Sequence, residues 1–178
     1  FFSADLEQTR RAFEQLPWVR TVSVRRKFPW RLEVNLEEHV ALARWNNKEL
    51  VNSYGEVFVA QSSEALPRFV GQPDTSAQVT EMYAALGKEL GALKLNIAQI
   101  SLSPRFAWQV KLDSGMVLEL GREQVQQRLA RFVAVYPYTL AMRTRAVNHV
   151  DLRYRNGFAA YLPEGAGTQA GQGSGKRV

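Results

Sequence analysis

The chain has 178 residues, 46% of them hydrophobic, so it can bury a core and form one large or two small domains. It contains no cysteine, which excludes disulfide bonds, thiolate metal sites and cysteine nucleophiles. The net charge of +6 would suit a nucleic-acid binder, but acidic residues are interleaved with the basic ones in most segments. The densest basic run, at 25–27, is expected at a solvated hairpin tip; RNA or anionic lipid is its other interpretation.

An amphipathic helix is predicted over residues 3–16, where apolar side chains recur at helical spacing. Ser3 or Asp5 can cap its first turn by accepting hydrogen bonds from backbone N–H groups. Pro17 ends the helix. Its expected buried stripe is formed by Leu6, Phe13 and Leu16.

Two strands are predicted next, joined by a turn at 27–29. Val22 and Val24 alternate with polar residues in the first strand. In the second strand, over 30–37, the alternating apolar residues are Trp30, Leu32, Val34 and Leu36. This period is typical of half-buried strands, so one face of each is expected to lie on a core.

From Val40 onward, short strands and turns predominate. Strands are expected at 41–45, 50–51, 57–59, 67–71, 97–102, 106–112 and 116–120. Two helices interrupt them, over 75–90 and 122–136, where Gly91 and Pro137 provide the ends. The whole pattern predicts an α+β fold.

The sequence contains no motif that would carry catalysis. The two histidines, His39 and His149, are far apart and belong to no metal-binding pattern. Glu37 and Glu38 are adjacent in a strand and point to opposite faces, so they cannot act together as acid and base. No P-loop, nucleophile elbow or dinucleotide fingerprint is found. The sequence therefore predicts no enzyme, no metal site and no cofactor.

The last apolar segment, 150–161, is a candidate for a strand at a sheet edge. It contains residue types enriched at binding hot spots, namely Arg153, Tyr154, Arg155, Phe158 and Tyr161. An exposed edge strand is a template for pairing with another chain. From the pattern alone, an ordinary final hairpin with a charged edge is an equal alternative.

Three blocks carry a resemblance to a known family. Residues 16–45 read LPWVRTVSVRRKFPWRLEVNLEEHVALARW, residues 129–137 read LARFVAVYP, and residues 150–157 read VDLRYRNG. In this order and over nearly the whole chain, the blocks resemble the FtsQ family of bacterial cell-division proteins.

The resemblance implies the C-terminal part of a POTRA domain, followed by a mostly antiparallel β domain with two flanking helices. The expected division is a POTRA domain over 1–39, an FtsQ-type β domain over 40–163 and a disordered Gly-rich tail over 164–178. The family's POTRA domain begins with a strand and a helix that would precede Phe1, so this domain is expected to be incomplete and the chain to be a fragment.

The function implied by the resemblance is a non-enzymatic scaffold of the division machinery. Its partners would be FtsB and FtsL, and their complex would regulate septal peptidoglycan synthesis. Other division proteins would bind through the POTRA domain, and no nucleic acid is expected. The location would be the bacterial inner membrane at the division septum. A single N-terminal membrane helix, absent from this fragment, would place the fragment in the periplasm. The alternative is a POTRA-bearing chaperone or a secretion or outer-membrane assembly component that binds extended peptides.

In the family, a segment of FtsB adds a β-strand along the final strand of the β domain. Carried onto this sequence, Tyr154 would be a central aromatic contact, and Arg153 would pair with an acidic partner residue, helped by Arg105. The expected partner-binding residues are Arg105, Arg153, Tyr154, Arg155, Asn156, Gly157, Phe158, Ala159 and Ala160.

Overall fold

The structure of the protein is a computed structural model, and it describes residues 5–139, 147–155 and 157–161. Within these residues, helices accompany two separate β-sheets, one of two strands and one of nine. The α+β prediction is therefore confirmed. The predicted tail over 164–178 lies outside the described residues.

The smaller unit consists of one helix and a two-stranded ribbon. Helix α1 (Leu6–Glu14) begins at Asp5, whose Oδ1 accepts hydrogen bonds from the backbone N–H groups of Glu7 at 2.9 Å and Gln8 at 3.1 Å. The helix contacts the first of the antiparallel strands β1 (Val19–Lys27) and β2 (Arg31–Glu38). The basic run at 25–27, expected in the turn, is the exposed end of β1.

The ribbon is less buried than its alternating pattern predicts. Trp30, Leu32, Val34 and Leu36 are 65%, 41%, 36% and 42% exposed, and no residue of β2 is buried. In α1 the predicted stripe is only half-buried. The alternation correctly identified the strands, but the expectation that one face of β2 lies on a core is wrong for the described residues. Alternation reports which side chains share a face, whereas burial also needs a second layer to cover that face.

The larger sheet is formed by nine short strands. They are β3 (Ala41–Trp45), β4 (Glu49–Asn52), β5 (Val57–Phe58), β6 (Arg68–Val70), β7 (Ile97–Leu102), β8 (Trp108–Leu112), β9 (Val117–Gly121), β10 (His149–Asp151) and β11 (Ala159–Tyr161). Their order is β11-β10-β9-β8-β7-β6-β3-β4-β5. The pairs β3/β6, β6/β7 and β9/β10 are parallel, and the other pairs are antiparallel.

One face of this sheet is the core of the molecule. Paired residues form a continuous buried row across six strands, made of Trp45, Phe69, Ile100, Val110, Leu118 and Val150. Helix α2 (Ser76–Gly91) and helix α3 (Val125–Thr139) cover the row with Val79, Leu86, Leu90, Leu129 and Phe132, all fully buried. The opposite face is partly exposed and polar; there the Gln109 side-chain amide donates to Glu119 Oε1 at 2.6 Å.

Helix α3 does not stop at Pro137 as predicted but continues to Thr139. Proline removes one backbone donor and crowds the carbonyl four residues earlier, which breaks a helix in its interior. Here it lies in the last turn, where little helix follows. The Thr139 hydroxyl donates to the Val135 carbonyl at 2.9 Å and ties this turn together.

An arginine connects the two units. Arg20 of β1 donates from Nε and Nη2 to the two carboxylate oxygens of Glu56, at 2.7 and 3.3 Å, and from Nη1 to Glu37 Oε1 at 2.7 Å. Its guanidinium carbon lies 3.8 Å from the ring centroid of Tyr54. Planar stacking and two-point pairing are the geometry in which arginine holds a partner most firmly.

Three further side chains support this joint. The ring of His39 stacks on Phe58, with centroids 4.3 Å apart and planes 7° from parallel. Asn52 is buried, and its amide donates to Glu56 Oε2 at 2.7 Å while its nitrogen lies 3.0 Å from His39 Nδ1. His39 is thus a packing residue at the joint.

We expect Arg20→Gln to lower the urea midpoint near neutral pH but to have little effect in acid. Hydrogen bonds from Arg20 hold the pKa of both Glu37 and Glu56 below the usual value. A carboxylate with a lowered folded-state pKa stabilises the fold above its unfolded pKa and loses that contribution as the pH falls through the folded value. The measurement is the difference in urea midpoint between wild type and variant at about pH 7 and about pH 3.

Arg11→Gln provides the control for this comparison. Arg11 pairs with Glu7 on the surface of α1, and its side chain is 71% exposed, so its loss should matter little at either pH. An Arg20→Gln effect no larger than that of Arg11→Gln, or one equal at both pH values, would contradict the role given to the joint.

Candidate functional site

The last two strands lie at one end of the nine-stranded sheet. β10 pairs with β9 in parallel and with β11 in antiparallel register, with His149 opposite Tyr161 and Asp151 opposite Ala159. Within the described residues, β11 is the terminal strand, and no strand pairs with its outer side. The expected sheet edge is thus present, but 150–161 is not one strand: two three-residue strands flank a loop.

The predicted partner-binding residues divide between this loop and β11. Arg153, Tyr154 and Arg155 lie exposed in the loop, and the Tyr154 side chain is 53% exposed. Ala159 and Ala160 belong to β11, and Ala160 is exposed. Asn156 lies outside the described residues.

Phe158 packs against helix α3, and Gly157 before it is exposed. The Phe158 ring is half-buried and meets the Phe132 ring edge-to-face, with centroids 6.0 Å apart. A groove of about 480 Å³ runs between α3 and this segment and is lined by Gly157, Phe158 and Arg131 among others. Arg131 donates to the Arg155 carbonyl. A Cβ added at Gly157 would meet nothing within 4 Å, so its own packing does not require glycine there.

Arg153 is held by Asp151, two residues earlier. Asp151 Oδ1 accepts from the Arg153 backbone N–H at 3.0 Å and from Nε at 2.9 Å, and Oδ2 accepts from Nη2 at 2.7 Å. These bonds lower the pKa of the buried Asp151 carboxyl, which is therefore ionised at neutral pH. A guanidinium has five N–H donors, and this pair uses two, so the side chain is oriented while other donors lie outside the pair.

Beside Arg153, a cavity of about 430 Å³ is lined mostly by arginines. Its lining residues are Arg105, Ala107, Gly121, Arg122, Glu123, Arg128 and Arg153. The β7–β8 turn, the start of α3 and the loop after β10 meet there, so the structure places Arg105 and Arg153 on one cavity. With four guanidinium groups and one carboxylate, the cavity is suited to an acidic group.

Gly121 allows these arginines to approach one another. Its φ of +75° is in the left-handed region, and an added Cβ would lie 2.7 Å from Arg128 Nη1 and 3.1 Å from Arg153 Cγ. Arg128 Nη1 donates to the Leu120 carbonyl at 2.7 Å, which fixes its head in the cavity wall. Sequence reasoning missed Arg122 and Arg128, because only the folded sheet places them beside Arg153.

No group of three or more His, Asp and Glu side chains in the described ranges could hold a metal ion. None of the described helices has the length and apolar content needed to cross a bilayer.

Comparison with known proteins identifies both units. Residues 43–153 match the family model of the C-terminal part of the cell division protein FtsQ/DivIB, and residues 1–39 match the FtsQ-type POTRA domain.

Curated relatives match along most of the chain. The chain is 45% identical to the cell division protein FtsQ of Nitrosospira multiformis, over 90% of this chain and 68% of that protein. It is 37% identical to FtsQ of Bordetella pertussis, over 91% and 67% of the two chains. It is 42% identical to FtsQ of Shewanella oneidensis, over 89% of this chain and 62% of that protein.

These matches confirm the family resemblance read from the sequence. The chain spans about two thirds of the length of these relatives, as the covered shares show. The chain therefore belongs to the FtsQ/DivIB family of cell division proteins.

Proposed function

We propose that this chain is a non-enzymatic scaffold of the division machinery that binds FtsB- and FtsL-type proteins. Its complex with them would link the partners to the regulation of septal peptidoglycan synthesis. Family membership supports a role in cell division. The observation that carries the specific proposal is the position of β11 as the terminal strand of the described sheet.

Strand addition is the mode of binding that this edge favours. An extended partner segment would gain main-chain hydrogen bonds from the outer side of β11, and pockets beside the strand would select its side chains. Ala160 is small and exposed, and a Cβ at Gly157 would point into open space, so a second backbone can approach here. Arg155 belongs to the loop that leads into this edge, and Asn156 is proposed as a contact from the sequence alone.

Positively charged side chains lie beside this edge, at the end where the loop enters β11. The cavity that contains Arg105 and Arg153 would receive an acidic side chain of the partner, and Asp151 keeps the Arg153 head in place for it. Tyr154, exposed beside Arg153, supplies apolar area with one polar end. The partner segment is therefore expected to be extended and to carry a carboxylate.

We also propose the cellular setting that the family resemblance implies. The parent protein would cross the bacterial inner membrane once and place this part in the periplasm at the division septum. Residues 1–39 would act as the POTRA domain that contacts other division proteins, and residues 40–163 as the β domain.

We expect Tyr154→Ala and Gly157→Val to weaken partner binding by about tenfold or more, while the fold is retained. The first removes an exposed aromatic contact, and the second puts a branched side chain where the partner backbone would approach. The measurement is calorimetric titration of each variant with the C-terminal segment of the cognate FtsB-type protein, alongside thermal melting.

Tyr138→Ala is the matched control, because Tyr138 is also an exposed tyrosine, on α3. Unchanged affinity of both site variants would show that the partner binds elsewhere. A panel of unrelated extended peptides separates this function from that of a chaperone or secretion component: equal affinity for all of them would contradict a dedicated division scaffold.

A further inference from the structure

Phe106, in the turn between β7 and β8, has a strained backbone conformation and an aromatic side chain exposed to solvent. Its φ of +58° lies in the left-handed region, which an aromatic side chain rarely adopts, and the side chain is 55% exposed. The alternation at 106–112 predicted a strand position for it, but β8 begins only at Trp108. The positive φ turns the chain before the strand starts.

The turn holds this conformation with three hydrogen bonds centred on Ser103. The Phe106 N–H donates to the Ser103 carbonyl at 2.8 Å, and the Ser103 N–H donates to the Ala107 carbonyl at 3.0 Å. The Ala107 N–H donates to Ser103 Oγ at 3.0 Å. Such strained residues persist where the surroundings over-determine them, and they cluster at functional positions.

The surroundings of Phe106 suggest what that function is. Its two chain neighbours, Arg105 and Ala107, both line the arginine cavity. Across the strand pair, Trp108 lies opposite Gly121, where an added Cβ would lie 3.1 Å from Arg153 Cγ. Each of the two arginines expected to hold the partner's acid is thus followed by an exposed aromatic residue: Phe106 after Arg105, and Tyr154 after Arg153.

We propose that Phe106 is a second aromatic anchor of the partner surface, next in the chain to a cavity arginine as Tyr154 is. It would contact an apolar side chain of the partner that lies close in sequence to the carboxylate held by Arg105 and Arg153. The recognised segment would then carry apolar side chains close in sequence to its acidic residue. This inference rests on the proposed function and adds a determinant of specificity to it.

Phe106→Gly is the informative variant because it separates function from folding. Glycine adopts a positive φ without strain, so the variant should melt at a higher temperature than the wild type. At the same time it should bind the FtsB-type segment about fivefold or more weakly, because an interface aromatic is lost. Phe28→Ala is the matched control: Phe28 is 95% exposed between β1 and β2, and its replacement should leave affinity unchanged.

A double-mutant cycle identifies the contact. Each apolar residue that flanks the partner's acidic residue is replaced by Ala in turn. For one of these partner variants, the loss of affinity caused by Phe106→Gly should be smaller than for the wild-type partner. If Phe106→Gly binds as tightly as Phe28→Ala while Tyr154→Ala still weakens binding, this inference is wrong and the proposed function stands. If the wild type does not bind the segment at all, both fall.

Discussion

Phe132→Ala should lower the free energy of unfolding by about 3–5 kcal/mol, the range found for aromatic truncations in a core. Phe132 is fully buried under the sheet, and its ring contacts those of Tyr136 at 5.2 Å and Phe158 at 6.0 Å between centroids. Removing it leaves a cavity that α3 and β9 cannot easily close, since β9 is held between β8 and β10 in the sheet. Urea denaturation followed by tryptophan fluorescence measures the change.

The same substitution should also weaken partner binding under conditions where the variant is folded. Phe132 packs against Phe158, and Phe158 leads directly into β11, so the loss of Phe132 would loosen the segment to which the proposed partner would bind. Val135→Ala on the same helix is the control, because Val135 is 39% exposed and its truncation should cost less than about 1 kcal/mol. Equal losses for the two variants would show that Phe132 is not part of the core as described.

Gly55→Ala should destabilise the protein by about 3 kcal/mol, a large effect for one methyl group. Gly55 has a φ of +81°, and an added Cβ would lie 2.4 Å from the Ala77 Cα. The obstacle is backbone at the start of α2, so no side-chain rotation can relieve it. The Ser76 hydroxyl donates to the Gly55 carbonyl at 2.7 Å, which further fixes the approach of this turn to the helix.

Gly87→Ala provides the opposite control within the same domain. Gly87 lies inside α2, and an added Cβ would meet nothing within 4 Å, so this substitution should stabilise the protein by about 0.5–1 kcal/mol. Thermal melts of both variants give the comparison. A stabilising Gly55→Ala, or two variants that shift in the same direction, would contradict the close contact between the 53–55 turn and α2.

Local pattern predicted most of the elements of this fold, because each depends on its own residues. Helical spacing placed α2 to within about a residue of its bounds, and alternation found the strands. Local pattern failed where a single backbone angle or a neighbour decided the outcome. Phe106 continues the alternation of β8 but has a positive φ, and Pro137 sits in a last turn that tolerates it.

The residues of the candidate site could be predicted mainly from the family resemblance. The residues of the last segment are informative only when their position at a sheet edge is known, and that position follows from the order of nine strands rather than from any local feature. The Asp151–Arg153 pair had a signal in the sequence, an acid and a base two residues apart. Arg122 and Arg128 had no such signal in the sequence, because their cavity is formed by three elements that are separate along the chain.

The strand order also sets a distance. The β5 edge lies beside the joint made by Arg20, and β11 closes the other end, eight interstrand spacings away. At about 4.8 Å per spacing, the sheet acts as a spacer of about 38 Å between the two. If, as proposed, one partner docks on the small N-terminal unit and a segment of another pairs with β11, the two sites would be separated by about this distance. The chain would then hold two partners at a fixed separation, and the width of its sheet would set that separation.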